Sequence, residues 1–194
     1  MQPTLALTLT HRLSARNSML ADAALVIIGS LFVAALAQIS LPLPFTPVPI
    51  TGQTFAVLLV GAALGSKRGA SSLALYLAEG AAGLPVFAGG ASGLAKLVGP
   101  TGGYLIGFAA ASFVVGLLAE RGLDRNWKTA ILPFLAGTLV IYLCGAAWLS
   151  AFVGFDNALI AGVYPFLIGD TIKLILAAIV LPSAWAITKG VDRS

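Results

Sequence analysis

The chain has 194 residues, of which 59% are apolar and only 9% are charged. This composition excludes an ordinary soluble domain, in which about 25% of residues are charged. The formal charge of +4 does not indicate nucleic-acid binding, because most basic residues occupy positions that orient membrane segments. The sequence therefore predicts an all-α, polytopic membrane protein that forms one integral membrane domain over residues 1–194.

Six apolar segments are predicted to cross the bilayer as helices. They lie at Ala21–Leu41, Thr51–Ser66, Gly69–Leu84, Gly102–Ala119, Thr129–Ala151 and Ile160–Ile187. A spanning helix needs about 20 apolar residues, so the second and third segments are short and one of them is expected to be tilted or broken. Residues 1–20 are predicted to form a cytoplasmic N-terminal segment.

The basic residues predict the orientation of these segments. With six spans, nine of the eleven Lys and Arg residues fall on one side; only Lys96 lies in an opposite loop, and Lys173 lies inside the sixth segment. Basic loops remain in the cytoplasm, which predicts that both termini are cytoplasmic in a multi-pass protein of the cytoplasmic (inner) membrane. The nine residues are Arg12, Arg16, Lys67, Arg68, Arg121, Arg125, Lys128, Lys189 and Arg193.

A cleavable signal peptide is the alternative interpretation of the first segment. Ala35-Leu36-Ala37 follows an apolar stretch that is preceded by two arginines. We favour a retained helix, because the apolar stretch is longer than the roughly 7–15 residues of a signal-peptide core.

The first outer connection, Leu41–Gln53, contains four prolines. Prolines exclude a regular helix and favour a stiff, extended segment, which loses little entropy when it covers a pocket. A plain connector is the alternative, but it would not need the apolar residues Phe45, Val48 and Ile50. The sequence therefore predicts a lid.

The second outer connection, Leu84–Tyr104, is rich in glycine but does not have the spacing of a phosphate-binding loop. The run from Gly61 to Lys67 also fails, because only three residues separate its two glycines. We therefore expect that the chain does not itself bind or hydrolyse ATP.

Asp170 and Lys173 lie within the sixth apolar segment. A charged side chain at membrane depth costs about 3 kcal/mol on insertion scales, so such residues usually serve binding or transport. Their i, i+3 spacing places them on one helix face, where they can pair or hold a polar ligand together. A purely structural ion pair is the alternative.

Four motifs in order resemble the BioY family, the biotin-binding S components of energy-coupling factor (ECF) transporters. They are Phe45–Phe55 (FTPVPITGQTF), Glu79–Gly90 (EGAAGLPVFAGG), Gly99–Phe108 (GPTGGYLIGF) and Gly169–Lys173 (GDTIK). The resemblance extends along nearly the whole chain. It implies six helices, an outward-facing pocket for biotin, and uptake driven by a transmembrane T component with ABC-type ATPases.

The resemblance also implies roles for particular residues. Asp170 is expected to accept hydrogen bonds from the ureido N–H groups of biotin, and Lys173 to donate to its carbonyl or carboxylate. Apolar walls are expected from Phe87, Tyr104 and Tyr164, polar lid contacts from Gln53 and Thr46, and a pocket or loop-anchoring contact from Glu79. Ser30 and Ala34, a small-xxx-small pair, are expected to dock the partner module.

Two other functions remain open at this stage. One is an intramembrane enzyme that uses Asp170, Lys173 and Glu79, although the sequence has neither a second carboxylate beside Asp170 nor paired cysteines. The other is a solitary facilitator or channel. No cofactor and no metal is predicted, since His11 has no partner pattern, and a homo-oligomer stays open.

Overall fold

The computed structural model describes residues 4–6, 8 and 18–191. His11, Arg12, Arg16 and Arg193 lie outside the described residues, as does the side chain of Lys189. The helices are α1 Ser18–Ala37, α2 Gln53–Leu64, α3 Ser66–Ala81, α4 Leu94–Val98, α5 Gly102–Ala119, α6 Ile131–Val153, α7 Phe155–Gly162 and α8 Leu167–Val191. Two short strands, β1 Ser40–Leu41 and β2 Ile50–Thr51, pair in antiparallel fashion.

The predicted helical membrane class is confirmed. Among the residues that the structure describes, four stretches are long and apolar enough to cross a bilayer: Met19–Ala37, Gly102–Ala119, Ile131–Val153 and Phe155–Thr188. Helix α2 is a shorter apolar helix, and it is separated from α3 by Gly65 alone, whose φ of 87° favours glycine. The predicted shortness of the second and third segments thus corresponds to α2 and α3, while the count of six spans stays a prediction.

The predicted last segment, Ile160–Ile187, lies within one long apolar stretch, but this stretch contains a break that the sequence analysis did not predict. Helix α7 ends at Gly162, a 3₁₀ turn follows at Tyr164–Phe166, and α8 begins at Leu167. Pro165 explains the break, because proline has no N–H for the helical hydrogen bond and disfavours helical geometry in the residue before it. Apolarity continues through the break, so a hydropathy pattern does not detect it.

Helix α5 is the central helix of the bundle, with 61% of its residues buried. Glycines allow its neighbours to approach closely. A Cβ added at Gly61 would lie 2.6 Å from the backbone oxygen of Ser112, and one at Gly107 would lie 2.9 Å from Cβ of Cys144. These small-residue positions therefore pack α2 and α6 against α5 within one chain.

One end of the bundle contains the start of α3 and the α5–α6 connection, which together carry five basic residues: Lys67, Arg68, Arg121, Arg125 and Lys128. The backbone N–H and the hydroxyl of Ser66 both donate to Oε1 of Glu120 at 2.8 Å, which joins the start of α3 to the end of α5. Four residues after Glu120, the buried Asp124 accepts a hydrogen bond through Oδ2 from Trp185 Nε1 at 2.6 Å, which ties the α5–α6 connection to the last turns of α8. Burial raises the pKa of the Asp124 carboxyl. We call this the inner end, in line with the predicted orientation.

Candidate ligand-binding site

The opposite end of the bundle contains a cavity of about 360 Å³, which we call the outer cavity. This volume lies in the range of about 300–1,000 Å³ that is typical of small-molecule sites. The two outer connections, the first turn of α2 and helices α4, α5, α6 and α8 supply its walls. The outer cavity is lined mostly by apolar groups and contains few charged side chains, which are Lys96, Asp170 and Lys173.

Asp170 is the centre of a polar network at this cavity. Its side chain is buried, and Lys173 Nζ lies 2.7 Å from Oδ1. The hydroxyl of Thr54 donates to the same oxygen at 3.0 Å and accepts a hydrogen bond from Lys173 Nζ at 3.0 Å. The phenol of Tyr142 donates to Oδ2 at 2.7 Å. Helices α2, α6 and α8 therefore meet at this carboxylate.

The network leaves hydrogen-bonding capacity for a ligand. An ammonium group has three donors, and two of those on Lys173 are directed to Thr54 and Asp170. A carboxylate has about four acceptor positions, and three of those on Asp170 are occupied. Because both residues line the cavity, one donor and one acceptor remain for a bound molecule.

Gln53 belongs to a second polar chain beside the cavity. Its Nε2 donates to the phenol oxygen of Tyr76 at 2.6 Å, and the Tyr76 hydroxyl donates to the backbone oxygen of Val86 at 3.0 Å. Tyr76 is fully buried and makes an edge-to-face contact with Phe87, with ring centroids 5.5 Å apart. The ring of Phe87 fills the space beside Gly80, where an added Cβ would lie 2.1 Å away. Helix α3 thus supports a wall of the cavity.

The loop of residues 42–49, which we call the lid loop, is fastened at both its base and its tip. The β1–β2 pairing closes its base. At the tip, the Thr46 hydroxyl donates to the backbone oxygen of Ala161 in α7 at 2.7 Å and accepts from the Val48 N–H at 3.1 Å. Residues of the lid loop line the outer cavity, as the proline pattern predicts.

Another wall of the outer cavity is built around Tyr104. Its ring packs on Gly145, where an added Cβ would lie 2.2 Å away, and its hydroxyl donates to the backbone oxygen of Gly162 at 2.7 Å. Phe108 and Phe166 complete the apolar lining on this side. Of the predicted site residues, the structure brings together six at the outer cavity: Thr46, Gln53, Phe87, Tyr104, Asp170 and Lys173.

Two predicted ligand contacts do not reach the cavity. Tyr164 is 59% exposed, lies in the turn that interrupts the last apolar segment, and is not among the residues that line the cavity. Glu79 accepts a hydrogen bond from the hydroxyl of Ser30 and joins α3 to α1 outside the cavity. The sequence places both residues near the outer side, but the direction of each side chain depends on how its element is rotated in the bundle.

The predicted docking pair needs the same correction. Ser30 is fully buried and donates to Glu79, and Ala34 is 8% exposed and belongs to the hydrophobic core. Both side chains pack α1 within its own chain and leave little surface for a partner to contact.

Sequence reasoning missed three residues that now belong to the site. Thr54 and Tyr142 bond the Asp170 carboxylate, and Tyr76 bonds Gln53. The available signal was a polar atom within an apolar helix, but several such residues exist. Lys96, the basic residue that the sequence places in an outer loop, is exposed and also lines the outer cavity.

Comparison with known proteins agrees with this geometry. A model described as the BioY family matches residues 8–190 of the chain. The chain belongs to the BioY family. Among its BioY relatives, a protein of Pyrococcus horikoshii named a probable biotin transporter is 48% identical over 144 residues, which cover 74% of this chain and 83% of the relative. A biotin transporter of Thermotoga maritima is 43% identical, covering 81% of this chain and 87% of its own.

A solved structure extends the comparison to the fold. It is a crystal structure of the S-component for biotin from an ECF-type ABC transporter, at 2.1 Å. It aligns with a TM-score of 0.79 at 29% sequence identity, and the match covers 88% of this chain and 93% of the other. Neither the network at Asp170 nor the hydrogen bonds through Tyr76 depend on this comparison, since both come from the contacts described above.

Proposed function

We propose that this BioY-family chain binds biotin with high affinity in its outer cavity and works as the S component of an ECF-type ABC transporter. It would then serve biotin uptake across the cytoplasmic membrane, without catalysing a reaction. The observation that carries the proposal is the Asp170–Lys173 network, which faces a mainly apolar cavity of about 360 Å³. The names of its relatives and of the matching structure support the choice of ligand.

The chemistry of biotin fits the groups that the cavity leaves available. The ureido ring has two N–H donors and one carbonyl acceptor. Lys173 retains a donor for the carbonyl, and Asp170 retains an acceptor for an N–H. Such charge-assisted bonds are strong in a desolvated site. The sulfur-containing ring and the aliphatic tail can pack between Phe87 and Tyr104.

The carboxylate of biotin then has a separate cationic partner. Lys173 is already paired with Asp170, so that pair carries no net charge to attract an anion. Lys96, at the edge of the cavity, has no carboxylate partner among the residues that the structure describes. We expect Lys96 to hold the acid end of the tail, with the ureido ring toward α8.

Energy for uptake would come from the T component and ABC-type ATPases. The chain itself lacks a phosphate-binding loop pattern, which supports a separate motor. Uptake of labelled biotin into vesicles should therefore require coexpression of these partners and hydrolysable ATP. Equal uptake by the chain alone would favour a solitary facilitator instead.

Calorimetric titration of the detergent-purified chain with biotin tests the binding function. The wild type should bind one equivalent tightly, and Asp170→Asn/Lys173→Ala should lose at least about a hundredfold in affinity, as expected for two lost charge-assisted bonds. The matched control is Asp22→Asn/Arg68→Gln. It removes a two-bond ion pair of 2.8 and 3.0 Å near the inner end and should leave affinity unchanged.

Three results would be informative. Loss of binding in the cavity variant alone supports the proposed site. Equal binding by all three proteins keeps biotin as the ligand and removes Asp170 and Lys173 from its site. A folded wild type that does not bind biotin overturns the proposed function.

A further inference from the structure

Two consecutive hydrogen bonds, from Gln53 to Tyr76 and from Tyr76 to Val86, determine which end of the Gln53 amide faces the cavity. The backbone oxygen of Val86 can only accept, so the single phenolic proton of Tyr76 is directed to it at 3.0 Å. Toward Gln53, the phenol oxygen can then only accept. The amide must therefore present its NH₂ group to Tyr76, at 2.6 Å.

The opposite amide orientation is disfavoured by burial. With the amide oxygen toward Tyr76, one phenolic proton would face two acceptors, and one buried acceptor would have no partner. Neither side chain can relax easily, since Gln53 is 3% exposed and Tyr76 is fully buried. The contact of Tyr76 with the ring of Phe87 holds the phenol in place from the other side.

Oε1 is the amide atom left for a ligand. Gln53 lines the outer cavity, and the hydrogen bond that the structure describes for its side chain engages Nε2. Tyr76 does not line the cavity and acts through Gln53.

We propose that Tyr76 is a positioning residue that holds Gln53 Oε1 toward the cavity as a hydrogen-bond acceptor, so that the site selects ligands that bring an N–H group to this point. The inference rests on the proposed function, since the ureido ring of biotin is the N–H donor that it requires. Asp170 and Gln53 then supply acceptors for the two ureido N–H groups, and Lys173 supplies the donor for the carbonyl between them.

The test compares biotin with its two analogues in which one or the other ureido nitrogen carries a methyl group. Affinities are measured by titration for the wild type, Gln53→Met, Tyr76→Phe and the double variant. Ser72→Ala is the matched control, because it also removes a buried hydroxyl bond, 2.9 Å to the backbone oxygen of Arg68, away from the cavity. Melting temperatures establish that each protein is folded.

We expect the wild type to prefer biotin over at least one methylated analogue. Gln53→Met should bind biotin about tenfold more weakly, as expected for one lost hydrogen bond, and should lose that preference. Tyr76→Phe should weaken the same preference, because its amide is free to turn. Adding Tyr76→Phe to Gln53→Met should change the preference no further, and Ser72→Ala should behave as the wild type.

A preference that is unchanged in folded Gln53→Met or Tyr76→Phe overturns the inference and leaves the proposed function intact. If Gln53→Met does not fold, Tyr76→Phe decides by the same ratio. A wild type that binds no biotin overturns both the inference and the proposed function, so the two failures are distinguishable.

Discussion

Removing the positive charge of Lys173 should destabilise the protein more than removing both charges of its ion pair. In Lys173→Met, the Asp170 carboxylate stays buried and loses its cation at 2.7 Å. Breaking a buried pair in this way costs about 3–5 kcal/mol. We expect the lower end, about 3 kcal/mol, because Thr54 and Tyr142 still donate to the carboxylate.

The double variant Asp170→Asn/Lys173→Met buries no unpaired charge, and it should cost only about 1 kcal/mol for the altered hydrogen bonds. For a chain of this size, each kcal/mol shifts Tm by about 2–4 °C. The single variant should therefore melt about 6–12 °C below the wild type, and the double variant about 2–4 °C below it.

Thermal unfolding in detergent without ligand, followed by tryptophan fluorescence, measures this difference. Asp170→Asn alone completes the cycle. The double variant could melt as low as Lys173→Met, or its loss of stability could equal the sum of the losses in the two single variants. In either case, the Asp170 carboxylate is not an uncompensated charge after Lys173 is removed. The electrostatic reasoning would then be refuted.

Two further predictions concern the lid loop and the inner end. Thr46→Val keeps the shape of the side chain but removes its hydrogen bond to the backbone oxygen of Ala161. Biotin should therefore dissociate about five- to tenfold faster in a stopped-flow chase. An unchanged dissociation rate would contradict opening of the lid loop as the rate-limiting step. Burial raises the pKa of Asp124 above its ordinary 3.8, so the folded state binds this proton more tightly than the unfolded state, and stability should fall as pH rises from about 3.8 through the raised value. Tm measured against pH should lose this slope in Asp124→Asn, and an identical slope in both proteins would count against it.

The helices were predictable where local apolarity alone decides them. The segment Gly102–Ala119 was predicted with the bounds that α5 has, because an apolar run there ends at Glu120 and Arg121. The break inside the last segment was not predicted, because Val163 and Pro165 leave the helix without any gain in polarity. Hydropathy reports which residues avoid water and is insensitive to a turn inside an apolar run.

The site was predictable where its residues share one helix or one stiff loop. The i, i+3 spacing of Asp170 and Lys173 places them together in any straight helix, and they do pair. The family resemblance added Thr46, Gln53 and Phe87, which line the cavity. Tyr164 shows the limit of such reasoning, because a motif neighbour on the outer side can still face away from the pocket.

The sequence by itself determined the membrane class, the predicted orientation and the charged pair on α8. Those properties follow from composition and from spacing along one helix, which are local. Only the tertiary structure decided that Thr54 and Tyr142 hold Asp170 and that Tyr76 holds Gln53. These partners lie on different helices, so their contacts depend on how each helix is rotated about its axis and packed against its neighbours, and nothing local in the sequence specifies that rotation.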